Sequence, residues 1–258
     1  MPKIKQILAD GGTVRLFGVG QLCLPKIVDA VGHVGGFDGL WIDVEHAGLD
    51  MKDVEAVTLA ADAHGLDHFV RLPATDYASI MRPLEAGAGG IMVSMVRTAE
   101  DADRAVRWAK FWPRGERGVN GGNRDGRYGL TPMDQYLREA NAKTFVGIQI
   151  ETAEALAGVA EIAAVPDVDL IFVGPADLSQ VLGVPGDWEN PKCLSAIKGI
   201  ADACEKAGKP WGIVPRGPDY AYRMADWGCR MFVVAFDIHA LVAGVKGAKE
   251  RFGRFFEG

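Results

Sequence analysis

Two acidic residues follow two apolar segments in the middle of the chain. The first segment, residues 145–150, alternates apolar side chains with small or polar ones and is followed by Glu151. The second, residues 170–173, is wholly apolar and is followed by Gly174 and then by Asp177. Both patterns are typical of β-strands, so each strand would deliver one carboxylate at its C-terminal end. Two such carboxylates on neighbouring strands would suit a hard divalent cation.

Three more side chains that could do chemistry stand near the ends of strand-like segments: His46, Arg71 and Gln149. In residues 40–45, Asp43 and Glu45 alternate with apolar residues, so we expect both acids to point away from the apolar face. His46 would then begin the loop beyond that strand, and we interpret it as a general acid–base. The planar guanidinium of Arg71 would suit an organic carboxylate.

These residues also have interpretations without chemistry. Arg71 could form only a salt bridge with Glu45 or Asp43, and a single histidine at a strand end is more often structural than catalytic. His46, however, follows two acids that we expect to face inward, so we favour the chemical interpretation of the set. The remaining histidines lack such neighbours and are interpreted as structural: His33, His64, His68 and His239.

The ligand types indicate which cation the site would bind. Glu151 and Asp177, with Gln149 nearby, offer oxygen and no cluster of histidine or cysteine ligands. This set favours Mg²⁺ or Mn²⁺, would also admit Co²⁺, and does not favour zinc. Asp177 could instead cap a helix that begins at Leu178, and only its partner Glu151 makes the metal interpretation the stronger one. No lysine lies at a predicted C-terminal strand end, as a Schiff-base mechanism would require.

The rest of the chain alternates strand-like with helix-like segments. The predicted strands are residues 15–19, 39–44, 68–72, 90–95, 145–150, 169–173, 211–214 and 231–236. The predicted helices are residues 4–9, 25–31, 51–64, 77–86, 99–111, 153–164, 191–207, 218–226 and 238–251. This order predicts a closed parallel (β/α)8 TIM barrel that comprises residues 1–258 as a single domain. Such a barrel carries its active site at the C-terminal ends of the strands, where the candidate residues lie.

Composition excludes several classes of function. The chain has 258 residues, 48% of them hydrophobic, and a formal net charge of −6, which argues against nucleic acid or an anionic membrane surface as a partner. No apolar run approaches the length of a membrane span. The four cysteines show no paired spacing, so we interpret them as buried thiols and expect a cytoplasmic protein.

One segment interrupts the alternation of strands and helices. Residues 114–129 are rich in glycine and arginine and precede the fifth predicted strand. A single short basic run in an acidic protein makes RNA binding an unfavoured interpretation. Long loops in compact domains often cover a site. We therefore favour a lid or a subunit contact over an inert surface loop.

The motifs together resemble the HpcH/HpaI aldolase family, whose members are class II, metal-dependent 2-oxo-acid aldolases. The resemblance covers nearly the whole chain and rests on five motifs in order: GFDGLWIDVEHA (36–47), VRLP (70–73), PRGERGV (113–119), QIET (149–152) and GPADLS (174–179). It implies a barrel of the phosphoenolpyruvate/pyruvate-binding type. It also implies assembly as a homo-hexamer, often with an exchanged C-terminal helix.

The resemblance assigns roles to individual residues. Glu151 and Asp177 would be the metal ligands, and His46 would be the acid–base. Arg71 and Gln149 would contact the pyruvoyl group. The backbone around three further residues would hold the substrate carboxylate: Gly174, Pro175 and Ala176.

Two positions depart from the family pattern. The acid that pairs with the catalytic histidine is often aspartate in the family, whereas the aligned residue here is Glu85. We still expect Glu85 to belong to the catalytic set. Residues 120–128 also differ from the usual Ala/Ser-rich version of that loop, which affects the expected specificity for the aldehyde.

The residues and the resemblance predict reversible aldol cleavage of a 4-hydroxy-2-oxo acid to pyruvate, or a close analogue, and an aldehyde. Two alternatives remain. A CoA-ester lyase of the citrate/malyl-CoA type would be built on a similar barrel, but the chain shows no basic run for the nucleotide phosphates. A non-catalytic barrel that binds oxo acids would have no need of inward-facing acids.

Overall fold

Eight parallel strands close into a barrel in the computed structural model, which describes residues 3–256. Each strand pairs with its neighbours in the chain, and the last pairs with the first. The strands are β1 (Val14–Val19), β2 (Gly39–Asp43), β3 (Asp67–Pro73), β4 (Gly90–Ser94), β5 (Phe145–Ile150), β6 (Leu170–Val173), β7 (Trp211–Ile213) and β8 (Cys229–Phe236). All eight match the predicted segments closely, and the (β/α)8 barrel is confirmed.

Helices connect the strands around the outside of the barrel. They are α1 (Lys3–Ala9), α2 (Pro25–Val34), α3 (Met51–Ala63), α4 (Tyr77–Glu85), α5 (Ala99–Ala109), α6 (Met133–Lys143), α7 (Ala153–Ala157), α8 (Val159–Ala163), α9 (Pro175–Val181), α10 (Pro191–Ala207), α11 (Pro218–Asp226) and α12 (Asp237–Arg251). Among residues 3–256, no helix is both long enough and apolar enough to cross a membrane.

Capping residues begin several helices soon after a strand ends. The side chains of Asp50, Asp76 and Thr98 accept backbone hydrogen bonds in the first turns of α3, α4 and α5, and each completes a capping box. Directly after Glu151, the Thr152 side chain accepts a hydrogen bond from the Ala155 N–H in the first turn of α7. Because a cap satisfies free N–H groups of the first turn, it fixes where the loop ends and the helix begins.

The helices differ from the prediction at three places. Helix α6 was not predicted because its sequence is mostly polar and buries only Tyr136. The single predicted helix at residues 153–164 is divided into α7 and α8 at Gly158. Helix α9 begins at Pro175, whereas Leu178 was considered as its start. Proline at the first helical position lacks only an N–H that the helix would not use.

Alternate side chains of the strands build two hydrophobic cores. Those facing outward pack against the helices, as Leu40 and Ile42 do. Those facing inward fill the barrel with an aromatic stack, in which the Trp41 ring contacts Phe69 and Phe172 at centroid distances of 5.5 and 4.8 Å. The interior is therefore a packed core, and a ligand must bind at one end of it.

The glycine- and arginine-rich segment, residues 114–129, lies along the outside of the barrel. Near its start, the Arg114 Nε donates to Asp167 at 2.5 Å, just before β6 begins. Further on, Arg124 pairs with Asp62 in the last turn of α3. Both of these anchors lie toward the N-terminal ends of the strands. Between them, the Gly118 N–H donates to the Tyr77 hydroxyl at 2.6 Å, and Tyr77 is the first residue of α4, after the C-terminal end of β3. A lid and a contact with another subunit both remain predictions for this segment.

Candidate functional site

Arg71 is held by two acids at the C-terminal ends of β2 and β3. It stands in register with Asp43 across the two strands, and its Nε and Nη2 donate to the two Asp43 carboxylate oxygens at 3.0 and 2.6 Å. Its Nη1 donates to Glu45. The salt bridge considered from the sequence is therefore present. It uses three of the five N–H groups of the guanidinium, which leaves two for a ligand.

Glu151 follows β5 and is only 2% exposed. Its Oε1 accepts a hydrogen bond from the Met95 backbone N–H at 2.8 Å, and its Oε2 accepts one from the Gln149 Nε2 at 2.5 Å. The pKa of this carboxyl is raised from 4.5 to about 7, chiefly by burial and also by the charges of Glu45 and Asp177, while the Met95 amide and Arg71 lower it. Glu151 is thus a buried carboxylate among other acids.

Gly174 allows β6 to end beside Glu151. A Cβ at this position would overlap the Glu151 Oε2 and would lie 2.7 Å from the Gln149 Nε2. Its backbone φ of −91° is accessible to any residue, so the requirement for glycine here comes from space and not from conformation. The close approach brings the backbone that follows β6 against the carboxylate.

Asp177 lies in the first turn of α9, where it is exposed. Because the helix begins at Pro175 and its N-cap is Gly174, Asp177 is not the capping residue considered from the sequence. Its charge is close enough to contribute to the raised pKa of Glu151. Among the three backbone positions predicted to hold a carboxylate, Pro175 carries no N–H, so it can contribute only shape and its carbonyl.

Gln149 is buried on β5 and points toward the same end of the barrel. Its Nε2 donates to Glu151, but its Oε1 has no hydrogen-bond partner among the described residues. A buried acceptor without a donor is uncommon in a folded protein. The atom is therefore available to a ligand or to a water molecule bound at the site.

His46 begins the loop after β2, as predicted. Its side chain is 65% exposed, and its Nε2 lies 3.9 Å from the Glu45 Oε2. Its backbone N–H donates to Asp43 at 3.2 Å, and its carbonyl accepts from the Gln21 Nε2 at 3.1 Å. The backbone of this loop is thus tied to the acid that holds Arg71, while the imidazole is free to turn toward a ligand.

Glu85 does not meet His46 within the chain. It is the last residue of α4, which runs from the C-terminal end of β3 back to the N-terminal end of β4. Burial raises its pKa, and the groups that modify that pKa are Arg117, Asp125 and Asn123. The resemblance to the family identified the position of Glu85 in the sequence but not the end of the barrel at which it lies.

The charges at this end of the barrel fit a divalent cation. Four acids, Asp43, Glu45, Glu151 and Asp177, share it with Arg71. Burial is the main cause of the raised pKa of Glu151, and the charges of Glu45 and Asp177 add to it. The donors available are oxygen atoms, which suit Mg²⁺ or Mn²⁺ better than zinc. Glu151 and Asp177 are the carboxylates that could hold the ion, since Asp43 and Glu45 are engaged by Arg71.

One contributor was missed from the sequence. The Met95 backbone N–H binds Glu151, and Met95 itself has a φ of +57°, which is uncommon for a residue other than glycine. Asp43 was considered as a salt-bridge partner of Arg71, and it forms the two-pronged contact with the guanidinium. The alternation of residues 40–45 indicated that Asp43 faces inward, whereas nothing in the sequence marks Met95.

Comparison with known proteins gives consistent results. Residues 22–243 match the family model for HpcH/HpaI aldolase/citrate lyase. The chain is 38% identical to a hydroxypyruvate/pyruvate aldolase of Delftia acidovorans over 207 aligned residues, and the alignment covers 80% of this chain and 76% of the relative. It is 37% identical to a 4-hydroxy-2-oxovalerate aldolase of Rhodococcus jostii over 252 aligned residues, and that alignment covers 97% of this chain and 95% of the relative.

A solved structure shares the whole architecture. The crystal structure of an HpcH/HpaI aldolase/citrate lyase family protein from Burkholderia cenocepacia superposes with a TM-score of 0.91 at 34% identity, over 98% of this chain and 99% of that one. The chain therefore belongs to the HpcH/HpaI aldolase/citrate lyase family, a family of carbon–carbon lyases.

Proposed function

We propose that this protein catalyses metal-dependent, reversible aldol cleavage of a 4-hydroxy-2-oxo acid to pyruvate, or a close analogue, and an aldehyde. The observation that carries the proposal is the buried carboxylate of Glu151 beside Arg71 and Asp177 at the C-terminal ends of the strands. The names of the aldolase relatives agree with it. Cleavage of such a substrate leaves an enolate of a 2-oxo acid, and positive groups beside its oxygen lower the barrier.

The proposed metal ligands are Glu151 and Asp177, and the proposed ion is Mg²⁺ or Mn²⁺, with Co²⁺ as a functional substitute. When bound, the ion supplies Lewis-acid stabilisation of the negative charge that develops on the 2-oxo oxygen. The Met95 amide and the Gln149 side chain orient the two oxygens of Glu151. A ligand whose own hydrogen-bond partners fix its orientation binds an ion more tightly than a freely rotating one.

Arg71 and Gln149 are proposed to bind the pyruvoyl part of the substrate. Arg71 keeps two N–H groups beyond those bound to Asp43 and Glu45, and its Cζ lies 5.4 Å from the Trp41 ring centroid, so its plane is fixed. A fixed guanidinium places positive charge beside the enolate oxygen without reorganisation during the reaction. The backbone at Gly174 and Ala176 is proposed to contact the substrate carboxylate.

His46 is proposed to take the proton from the C4 hydroxyl during cleavage and to return it during condensation. Its imidazole is exposed at the rim, within 3.9 Å of Glu45, and can approach an aldehyde group that extends outward from the barrel. General acid–base transfer of this kind requires hydrogen-bond reach to the reacting oxygen, directly or through one water. The exposure of His46 on the loop after β2, at the same end of the barrel as Arg71, supports this role.

The direct test is a retro-aldol assay on a panel of 4-hydroxy-2-oxo acids, with pyruvate release coupled to lactate dehydrogenase. Metal-free protein prepared with EDTA should be inactive, and Mg²⁺, Mn²⁺ or Co²⁺ should restore cleavage. Activity that survives exhaustive chelation, or inactivation by borohydride in the presence of pyruvate, would contradict the metal-dependent mechanism. Exchange of the C3 protons of pyruvate in D₂O with Mn²⁺ would separate an enzyme from a barrel that only binds oxo acids.

We further propose that the protein assembles as a homo-hexamer. Helix α12 and the residues after it expose several large apolar side chains: Leu241, Val242, Val245, Phe252, Phe255 and Phe256. Exposed apolar surface of this kind is typical of a subunit interface. A pairing of Glu85 with His46 would then have to form between two copies. Light scattering coupled to size-exclusion chromatography would give the number of chains, and a monomer would contradict the proposal.

A further inference from the structure

A second group of metal-ligating side chains lies on the outside of the barrel. Asp29 and His33 stand one turn apart on α2, and His64 directly follows α3. Their ligand atoms all lie within 4.8 Å of one another. Within residues 3–256, this is the one group of three or more histidine, cysteine or acidic side chains that meets that limit.

The group is well separated from the site around Glu151. Helices α2 and α3 begin after the C-terminal ends of β1 and β2 and run back along the barrel. His33 lies at the end of α2 and His64 at the end of α3, so both lie toward the N-terminal ends of the strands. The two places therefore cannot share one ion.

The ligand atoms already lie close to one another. The His64 Nε2 and the Asp29 Oδ1 share a hydrogen bond at 2.8 Å, and the His33 Nε2 lies 3.6 Å from the same oxygen. A bound ion would take the place of the proton in that hydrogen bond. Tetrahedral ligands that stand about 2.0–2.1 Å from zinc are roughly 3.4 Å apart. Both distances lie within an ångström of that separation, so rotation of the exposed Asp29 and His33 side chains would suffice.

A glycine makes room for the more buried ligand. The His64 side chain is 19% exposed, and its ring lies against Gly32, where a Cβ would overlap the ring atoms. The ring also makes an edge contact with His33 at a centroid distance of 5.1 Å. His64 is thus fixed by packing beside Asp29, whereas a surface ion pair would not require this fit.

We propose that Asp29, His33 and His64 form a binding site for a transition-metal ion of the Zn²⁺, Ni²⁺ or Cu²⁺ class. Two imidazoles and one carboxylate are a ligand set that such ions prefer over Mg²⁺, and the exposed side of the group leaves a coordination position for water. The ion would join α2 to α3, because its ligands come from both. This assignment does not depend on the proposed aldolase activity.

The test is equilibrium dialysis against Zn²⁺ in excess Mg²⁺, with any histidine tag removed. The protein carries Glu151→Gln, so that the carboxylate site does not compete for the ion. We expect one Zn²⁺ per chain in this background. Adding His33→Gln should weaken binding at least about 10-fold, while adding His239→Gln, at another exposed histidine, should leave it unchanged.

The same proteins give a spectroscopic test of the ligands. The electron paramagnetic resonance spectrum of bound Cu²⁺ should show coupling to two imidazole nitrogens, and to one after His33→Gln. Zn²⁺ should also raise the Tm of the parent protein more than that of its Asp29→Asn variant, since the loss of the carboxylate ligand weakens binding to the folded state. The site is overturned by equal Zn²⁺ affinity with and without His33→Gln, or by a Cu²⁺ spectrum without nitrogen coupling.

Discussion

The carboxylate site around Glu151 and the histidine group around His64 are two different solutions to holding a cation. In the first, the key carboxylate is 2% exposed and is fixed by hydrogen bonds from Met95 and Gln149. In the second, Asp29 and His33 are exposed and only His64 is fixed by packing. A buried, oriented charge costs free energy to keep in place, and enzymes accept that cost where the charge does chemistry. The exposed group can bind an ion but has nothing that excludes water from it.

The largest expected effect is the loss of catalysis in Glu151→Gln, which tests whether the carboxylate site is the one that does chemistry. Glu151→Gln retains an acceptor for the Met95 amide but removes a charged metal ligand. It should abolish retro-aldol cleavage and the decarboxylation of oxaloacetate together, because both reactions form an enolate that needs the same stabilisation. Both are measured as rates at saturating Mn²⁺. The control is Glu154→Gln at the start of α7, an exposed position. If the Glu151 variant retains either activity near the wild-type rate, Glu151 is not a ligand of the catalytic ion.

The next effect tests which histidine does chemistry. His46→Ala should damage aldol cleavage about 10²–10⁴-fold more than oxaloacetate decarboxylation, because only cleavage requires a proton from the C4 hydroxyl. The matched control is His239→Ala, which removes another exposed imidazole and should change neither rate. Rates for both substrates are compared at saturating Mn²⁺. Equal losses in the two reactions would show that His46 positions the loop or the substrate and does not transfer the proton.

A smaller effect is expected from a change that keeps the charge at the carboxylate site. Arg71→Lys cannot bind both oxygens of Asp43 and reach Glu45 as well, since an ammonium lacks the planar fork. Cleavage should fall by roughly 10²–10³-fold, while the affinity for Mn²⁺ stays near normal. Arg138→Lys on the exposed face of α6 is the control. Cleavage close to the wild-type rate would assign Arg71 a structural role at the rim.

What the sequence predicted depended on how local each signal was. The alternation around Gln149 and the following Glu151 identified a strand and its terminal acid from neighbouring residues alone. Glu85 was aligned with the acid that pairs with the family's histidine, but its place at the far end of α4 depends on which way that helix runs. The Met95 amide reaches Glu151 from a residue distant in the chain, through an unusual backbone conformation. Contacts of this kind arise from the closed sheet and leave no local pattern.

The histidine group illustrates the same limit more sharply. The spacing of Asp29 and His33 places them on one face of α2, which the sequence alone can show. His33 and His64 were both interpreted as structural, and nothing in the sequence links His64 to the other two residues. The link is the packing of α2 on α3, with the His64 ring over Gly32. A metal site shared by two helices is therefore visible only after the fold is known.

The last prediction concerns how the two sites affect stability in metal-free protein. The pKa of Glu151 rises from 4.5 to about 7 on folding, chiefly through burial. Between these two pH values, the Glu151 carboxyl is therefore protonated in the folded protein and ionised in the unfolded chain. Under the linkage relation, the free energy of unfolding must fall as pH rises through this range and become level above it. The full change for this carboxyl is of the order of 3 kcal/mol.

Urea unfolding in EDTA, followed from about pH 5 to about pH 8, measures this change. Glu151→Gln cannot ionise at this position, so its stability should lose that part of the pH dependence and should exceed that of the wild type near the upper end. The matched variant Glu154→Gln, whose side chain is exposed, should follow the wild-type curve. Adding Mn²⁺ should reverse the loss in the wild type at high pH, because the ion binds the ionised carboxylate of the folded state. The opposite result would be a free energy of unfolding that changes with pH in parallel in the wild type and in Glu151→Gln. In that case the Glu151 carboxylate stays ionised in the folded protein without a bound cation.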